Sequence, residues 1–457
     1  MTSARVLIPN GALGLGFEPA ALARGVASRP DIIAVDGGST DSGPSYLGRG
    51  VSKYSRAATR AEWRELMLAR AEAGVPLVIG TAGTCGADSA VDWLFDITAE
   101  LAGELGQKLR VTRLYSGQNP AEIAAALADG RIRPLPAAPE ITSDTVMACT
   151  NIVALAGAEQ IAAALKTGAD IVIAGRTTDT AIIAALPLMR GCNAGAAWHG
   201  AKVGECGSLA TTQPASGSIQ IDFDASGFTM TPLGTNARAT PYTVSAHMLY
   251  ENSDPYILHE PGGHLDVTGA RYQALDDRCV RVEGSVWKPG PYTVKLEGAR
   301  IAGYQSVSLT LLRDRRYVEN ARVWADDIAR RCRARVERQT GLGAEDFTIE
   351  LRLIGVDATL GGLETGSNPP VEVGVLAIAT APSEALASEI GKVLNPYLLH
   401  HALTEGEPMP TFAFPFSPAE MQRGALYEFA LNHVLLLADP MAAFRLRTDE
   451  VGHGPAG

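Results

Sequence analysis

The run Asp170-Ile-Val-Ile-Ala-Gly-Arg176-Thr177-Thr178-Asp179-Thr180 sets a guanidinium, hydroxyls and a carboxylate directly after a short apolar stretch rich in β-branched residues. Such a stretch has the composition of a buried strand, and in open α/β sheets ligands sit beyond the carboxyl ends of the strands. Arg176 suits an anionic substrate group, Thr177 and Thr178 offer hydroxyls, and Asp179 can move a proton. The plainer alternative is that Thr178 or Asp179 caps the following helix while Arg176 pairs with a distant acid.

Other apolar runs end in the same way. Asp31-Ile-Ile-Ala-Val35 delivers Asp36-Gly-Gly-Ser39-Thr40-Asp41, where Asp36 is the best single acid for general acid/base work or metal contact and Ser39 and Thr40 can meet substrate. An Asx turn is the competing role for Asp36. Val75-Pro-Leu-Val-Ile79 leads into Gly80-Thr-Ala-Gly83-Thr84-Cys85-Gly86, whose backbone N–H groups at a helix start would hold a carboxylate or phosphate. Cys85 is a nucleophile candidate if that helix terminus lowers its pKa, but no sequence-adjacent histidine supports it, and a structural thiol is the simpler role. Asn10 follows Val6-Leu-Ile8 and Asn119 follows Leu109–Tyr115, so both fall at strand ends too. Finally, His259-Glu260-Pro-Gly-Gly-His264-Leu-Asp266 groups good zinc or iron ligands. Its spacing matches no helical H-x-x-x-H motif, so no metal is assigned; His259 or His264 is a proton-transfer candidate on an irregular substrate-facing loop, or a structural hydrogen-bonder.

These residues need a scaffold that gathers them. Strand-like runs alternate with helical segments over roughly the first 200 residues, which predicts a doubly wound, mostly parallel sheet. Its loops would bring together Asn10, Asp36, Thr40, Thr84, Cys85, Asn119, Arg176 and Asp179. Arg131 to Pro139 is proline-rich and expected as a surface connection, and the glycine-rich stretch around Trp198–Gly217 shows little helical pattern. The expected division is an α/β active-site domain over 1–215 and an α+β domain over 216–457 that adds substrate loops and oligomer contacts. Within the latter, Val280–Val286 and Tyr292–Gly298 are expected as hairpin strands, Asn320–Arg338 and Ser383–Leu394 as helices, and Thr348–Ile354 and Val371–Ile378 as strands. The apolar, proline-rich segment Phe412–Pro418 should pack on the body or on a neighbouring subunit.

Composition narrows the classes. A net charge of −11 without a basic cluster argues against a nucleic-acid partner. No apolar run is long enough to span a bilayer, and the chain starts directly with a strand rather than a signal peptide, so a cytoplasmic location is expected. The cysteines form no CxxC pair and are expected as reduced thiols, with no zinc or iron–sulfur site. Gly11, Gly14 and Gly16 do not keep the G-x-G-x-x-G order, so no nucleotide cofactor is assigned.

The Asn10-Gly11 opening, the Asp36–Gly48 loop, Gly175-Arg176-Thr-Thr-Asp179, and Arg423-Gly-Ala-Leu-Tyr-Glu-Phe-Ala-Leu-Asn-His433 resemble the acyclic terpene utilisation family of AtuA type, over nearly the whole chain. The resemblance implies a part in a catabolic route for branched carboxylic acids or their thioesters. The expected function is a lyase or isomerase, hydratase-like, acting on a small branched, unsaturated or hydroxylated carboxylate or its thioester. The alternatives are an acyl-CoA or ester hydrolase using a Cys or Ser nucleophile, and a non-catalytic partner subunit of a degradation enzyme. A homo-oligomer is expected.

Overall fold

Runs that are apolar at every position must bury both faces, and four such runs do so here: Val6–Ile8, Ile32–Val35, Leu77–Ile79 and Ile171–Ala174 are all essentially inaccessible to solvent. Their side chains alternate between two cores. Val6, Ile8, Ile32, Ala34, Val78, Val172 and Ala174 face one, which the helices Ala158–Leu165, Ala181–Met189 and Ala194–Gly204 complete. Leu7, Ile33, Val35, Leu77, Ile79, Ile171 and Ile173 face the other, closed by Pro19–Ala27, Arg56–Ala73 and Asp88–Glu104. This two-sided burial is the doubly wound arrangement expected from the sequence.

The computed structural model describes residues 2–366 and 370–452. The chain divides into two compact units, Met1–Arg300 with Phe429–Gly457, and Ile301–Glu428. In the first, a ten-stranded sheet has at its centre the parallel strands Ala4–Ile8, Ile32–Asp36, Leu77–Gly80, Ile171–Ala174 and Leu109–Tyr115, in that spatial order. Antiparallel strands extend it beyond Ala4–Ile8 through Ile219–Phe223, Gly227–Pro232, Val280–Glu283 and Arg271–Ala274, and Arg445–Val451 closes the other edge. Among the described residues no helix is long and apolar enough to cross a membrane.

Several local expectations differ from the structure. The stretch around Trp198 is a helix, Ala194–Gly204, buried from Gly195 to Gly204. A helix covered on all sides has no polar face and so shows no amphipathic period. His259 and His264 lie on a tight antiparallel hairpin, Ile257–Glu260 with Gly263–Asp266, where they are directly opposite each other. Pro261-Gly262 makes the turn. Val280–Glu283 and Tyr292–Gly298 are not hairpin partners: Val280–Glu283 pairs with Arg271–Ala274, and Leu296–Arg300 pairs with Cys149–Ala154. Ile132–Pro134, within the expected surface connection, is a short strand against His433–Leu435. The change of character near residue 215 falls inside the first unit, where the sheet turns from parallel to antiparallel.

The second unit is the expected α+β arrangement. Val373–Ala381 pairs antiparallel with Thr348–Ile354 on one side and with Tyr304–Leu312 on the other. Its alternate residues Val373, Val375, Ala377, Ala379 and Ala381 join a core with the helices Ala321–Thr340 and Glu384–His400. Phe412 of the proline-rich segment is anchored there, edge-on to Trp324 at 5.3 Å and to Tyr317 at 4.8 Å.

Convergence of the strand ends depends on close backbone approach. A Cβ on Gly86, whose φ is +64°, would lie 2.2 Å from the Arg176 amide nitrogen. Gly74 has a similar φ of +68°, but a Cβ there would meet nothing within 4 Å. Gly74→Ala should therefore cost about 1–2 kcal/mol from backbone conformation alone, and Gly86→Ala roughly 1–3 kcal/mol more. Denaturant unfolding of the two variants measures the difference, and equal losses would show that the close approach is not a real constraint.

Candidate active site

Beyond the carboxyl ends of the parallel strands lies a cavity of about 420 Å³. Separate loops line it: Asn10, Gly11 and Ala12 after the first strand, Asp36, Gly38, Ser39, Asp41 and Ser42 at the end of the second and just beyond it, Thr84 after the third and Asp179 after Ile171–Ala174. Cys206, Ser208, Tyr250 and Glu251 close the far side, and Lys53, Tyr54 and Leu15 also line it. A second cavity of about 350 Å³ is lined by Arg176 to Thr180, Lys202, Glu205, His259 and Glu260. Asp179 and Glu251 belong to both walls.

Arg176 is almost fully buried and holds Glu297, with Nε donating to Oε2 at 3.0 Å and Nη2 to Oε1 at 3.3 Å. Its Nη1 donates to Thr81 Oγ1 at 3.1 Å and to the Thr177 carbonyl at 3.2 Å, and lies 3.8 Å from Asp179 Oδ1. Thr40 Oγ1 donates to Glu297 Oε2 at 2.9 Å. The guanidinium is thus committed to an internal partner. Burial pushes the Glu297 carboxyl up, but Arg176, Lys295 and Thr40 reverse this and hold it at about 2.

The other acids of the cluster move the opposite way. Among the described residues, the buried or part-buried carboxyls Asp36, Asp179, Glu205, Glu260 and Glu297 face the buried cations Arg176 and Lys202. Burial, then the charge of Asp179, raises Asp36 well above the carboxylate range, although its Oδ1 accepts from the Gly38 N–H at 2.6 Å. Burial brings Asp179 to about 6 against the pull of Arg176 and Lys202. Burial likewise puts Glu205 at about 8 beside its ion-pair partner Lys202, and Glu260 at about 7 despite a 2.6 Å hydrogen bond from Thr180 Oγ1. The cavity therefore holds two carboxyls, Asp36 and Asp179, whose proton affinities are both raised by burial, with that of Asp36 raised further by the charge of Asp179.

Several polar atoms in the walls make no hydrogen bond within the protein: both Asn10 side-chain atoms, Thr84 Oγ1, Asp179 Oδ1 and, in the second cavity, Thr177 Oγ1 and Glu260 Oε2. Leaving such atoms unpaired costs about 1–3 kcal/mol each. Thr84 adds strain, since a β-branched residue at φ +68° is a backbone outlier. Strain and unpaired groups concentrated in these two cavities make their walls the candidate ligand site.

The structure brings Asn10, Asp36, Ser39, Thr84 and Asp179 to the first cavity and Arg176, Thr177, Thr178 and His259 to the second. Thr178 Oγ1 and Thr180 Oγ1 are 3.0 Å apart, and no side chain caps the following helix, so the capping alternative for Thr178 and Asp179 is not what the fold uses. His264 stays on the hairpin, its ring 5.7 Å from that of His259. Cys85 is fully buried among Leu47, Ala87, Ala90 and Val153, and burial pushes its thiol up. Gly83 packs against Ala90 and Ser52, while Gly86 abuts Arg176. Asn119 caps the helix Pro120–Ala128 through the Ala121 N–H and lines a separate cavity of about 540 Å³ beside Asp88 and Arg445. The sequence reading passed over Lys202, Glu205 and Glu297. A Lys and a Glu three apart inside an Ala/Gly/Val segment were the available signal for Lys202 and Glu205. Among the described residues, no group of three His, Cys, Asp or Glu side chains is placed to hold a metal.

Two stability measurements test this electrostatic picture. Glu297→Gln strips Arg176 of its buried counter-ion and should cost about 3–5 kcal/mol in denaturant unfolding at neutral pH. Glu205 has a folded pKa of about 8, above its unfolded value near 4.3. Its contribution is complete below the unfolded value and is lost as pH rises through about 8. Above about pH 7, where His199 and His247 are neutral in both states, the wild type should lose stability with rising pH and Glu205→Gln should lose less. Parallel curves would mean that Glu205 carries no extra proton in the fold.

The family model described as acyclic terpene utilisation family protein AtuA matches residues 52–211 and 211–411. The match takes in Thr84, Arg176, Asp179, Lys202, Glu205, Glu260 and Glu297, whereas Asn10 and Asp36 precede it. No curated protein and no solved structure matches the chain. With most of its length covered by that model, the chain belongs to the acyclic terpene utilisation AtuA family.

Proposed function

We propose that the protein is a lyase or isomerase of hydratase type, acting on a small branched, unsaturated or hydroxylated carboxylate or its thioester. The observation that carries this reading is that Asp36 and Asp179 line one cavity, where Asp36 is raised well above the carboxylate range and Asp179, held back by Arg176 and Lys202, to about 6. Two carboxyl groups whose environments push their proton affinities apart are the usual means of supplying an acid and a base together. The family's name ties its members to acyclic terpene utilisation, and branched unsaturated or hydroxylated acids are in keeping with that role.

In the dehydrating direction Asp179 takes the proton from the carbon next to the carbonyl. The C–O bond to the β-hydroxyl breaks, its electron pair stays on oxygen, and Asp36 gives that oxygen a proton, so water leaves as the double bond forms. Hydration runs the same steps backwards. Arg176 acts by fixing the loop and lowering the proton affinity of Asp179. Lys53, the cation among the described residues lining this cavity, is the group to meet a substrate carboxylate. A thiol nucleophile is less well supported, because burial raises the pKa of both Cys85 and Cys206.

Incubation of the purified protein with branched hydroxy and unsaturated acids and their thioesters in deuterated water, followed by mass spectrometry, tests the reading. Deuterium should enter the carbon next to the carbonyl of at least one of them. Asp179→Asn should slow this on the order of 10²–10⁴-fold. Wild-type kcat/KM should rise through about pH 6 as Asp179 ionises and fall at higher pH as Asp36 releases its proton. Absence of exchange with every compound, or undiminished exchange in Asp179→Asn, would defeat the mechanism.

A further inference from the structure

The inner wall of the first cavity is short of partners for a particular kind of group. Asn10 is 1% exposed and Thr84 2% exposed, and both line the cavity. Neither Oδ1 nor Nδ2 of Asn10, nor Oγ1 of Thr84, has a hydrogen-bond partner in the protein. The Asn10 backbone is closely packed: a Cβ on Gly207 would lie 2.8 Å from the Asn10 carbonyl carbon, and a Cβ on Gly11 2.9 Å from the Cys206 carbonyl oxygen. A donor and an acceptor on one buried amide, with a hydroxyl from Thr84, call for a group that both gives and accepts hydrogen bonds. A carboxylate only accepts, so Asn10 Oδ1 would stay unpaired against it.

Charge points the same way. Asp41, Asp179 and Glu251 line this cavity, against Lys53. A second anion carried past them would be repelled at short range in a poorly screened site. A neutral hydroxyl meets no such penalty and can accept a proton from an acid or donate to a carboxylate.

We infer that the inner half of the cavity is a neutral-hydroxyl site in which Asn10 and Thr84 select a hydroxylated carbon and reject a carboxylate at the same position. Any carboxylate of the ligand then points outward. The inference rests on the proposed reading of this cavity as the substrate site, and it deepens that reading by fixing which end of the substrate enters. It makes Asn10 and Thr84 specificity residues that touch the reacting oxygen.

Binding of three isosteric probes, measured by calorimetry, decides the matter without turnover. They are β-hydroxyisovalerate, tert-butylacetate with a methyl in place of the hydroxyl, and gem-dimethylsuccinate with a carboxylate in that place. Wild type should bind the hydroxy acid at least about tenfold more tightly than the methyl analogue, and the dicarboxylate most weakly. In Asn10→Leu and in Thr84→Val the preference for hydroxyl over methyl should shrink, each variant removing hydrogen-bonding atoms at nearly constant volume. Equal wild-type affinity for the first two probes, tighter binding of the dicarboxylate, binding of none of them, or an undiminished preference in both variants would overturn the inference. The outcome is separable from that of the exchange experiment. Discrimination without isotope exchange would leave the site and remove the chemistry, and exchange without discrimination would do the reverse.

Discussion

The ion pair between Arg176 and Glu297 is the contact on which the candidate site depends. It joins three pieces of chain far apart in sequence: the loop after Ile171–Ala174, the first part of the long strand Thr293–Leu312, and the loop after Ile32–Asp36 through Thr40. Both charges are almost inaccessible to solvent, and each partner is further hydrogen-bonded, which is the condition under which burying a pair is tolerable. Its effect reaches beyond the two residues. Because Glu297 is held ionised, the guanidinium is largely neutralised and has only part of its field left for Asp179. That remainder, together with Lys202, keeps Asp179 near 6, while Asp36 stays raised well above the carboxylate range.

The scaffold was far more legible than the chemistry. Strands buried on both faces announce themselves as continuous apolar runs, so the parallel strands of the first unit could be placed from Val6–Ile8, Ile32–Val35 and Ile171–Ala174 alone. The second unit was equally open to reading, because Val373–Ala381 alternates and Ala321–Thr340 has one apolar stripe. The helix Ala194–Gly204 was hidden by its own burial, and the hairpin around Pro261 by a turn that looks irregular in sequence. At the site, acids immediately after strands stood out, since a strand's end has a fixed place in such a sheet. Glu297 did not. It is 121 residues from Arg176, and no local pattern encodes a pairing made by folding. The sequence left Arg176 between a substrate anion and a distant acid, and the fold supplies that acid as Glu297.

Cys85 shows the same limit from the other side. Its position after a strand, at the start of a helix, matched what an activated thiol requires. Whether a residue in such a turn faces the cavity or the core is decided by one backbone step. Here Thr84 takes the cavity, at the expense of a left-handed conformation, and Cys85 turns inward among Leu47, Ala87 and Val153.

The geometry that gathers the acids also makes them hard to keep charged. Parallel strands deliver their loops to one edge of the sheet, so Asp36 and Asp179 meet there whatever their charges, and the buried helix Ala194–Gly204 brings Lys202 and, at its end, Glu205 against them. With more carboxyls than cations and little water to screen them, the cluster can relieve its repulsion only by holding protons. Proton retention within the neutral range is what a general acid needs, and it is also what makes the fold less stable as the solution becomes alkaline. The proposed catalysis and a stability liability therefore have one cause, and substituting the acids for stability would remove the proton that the proposed mechanism needs.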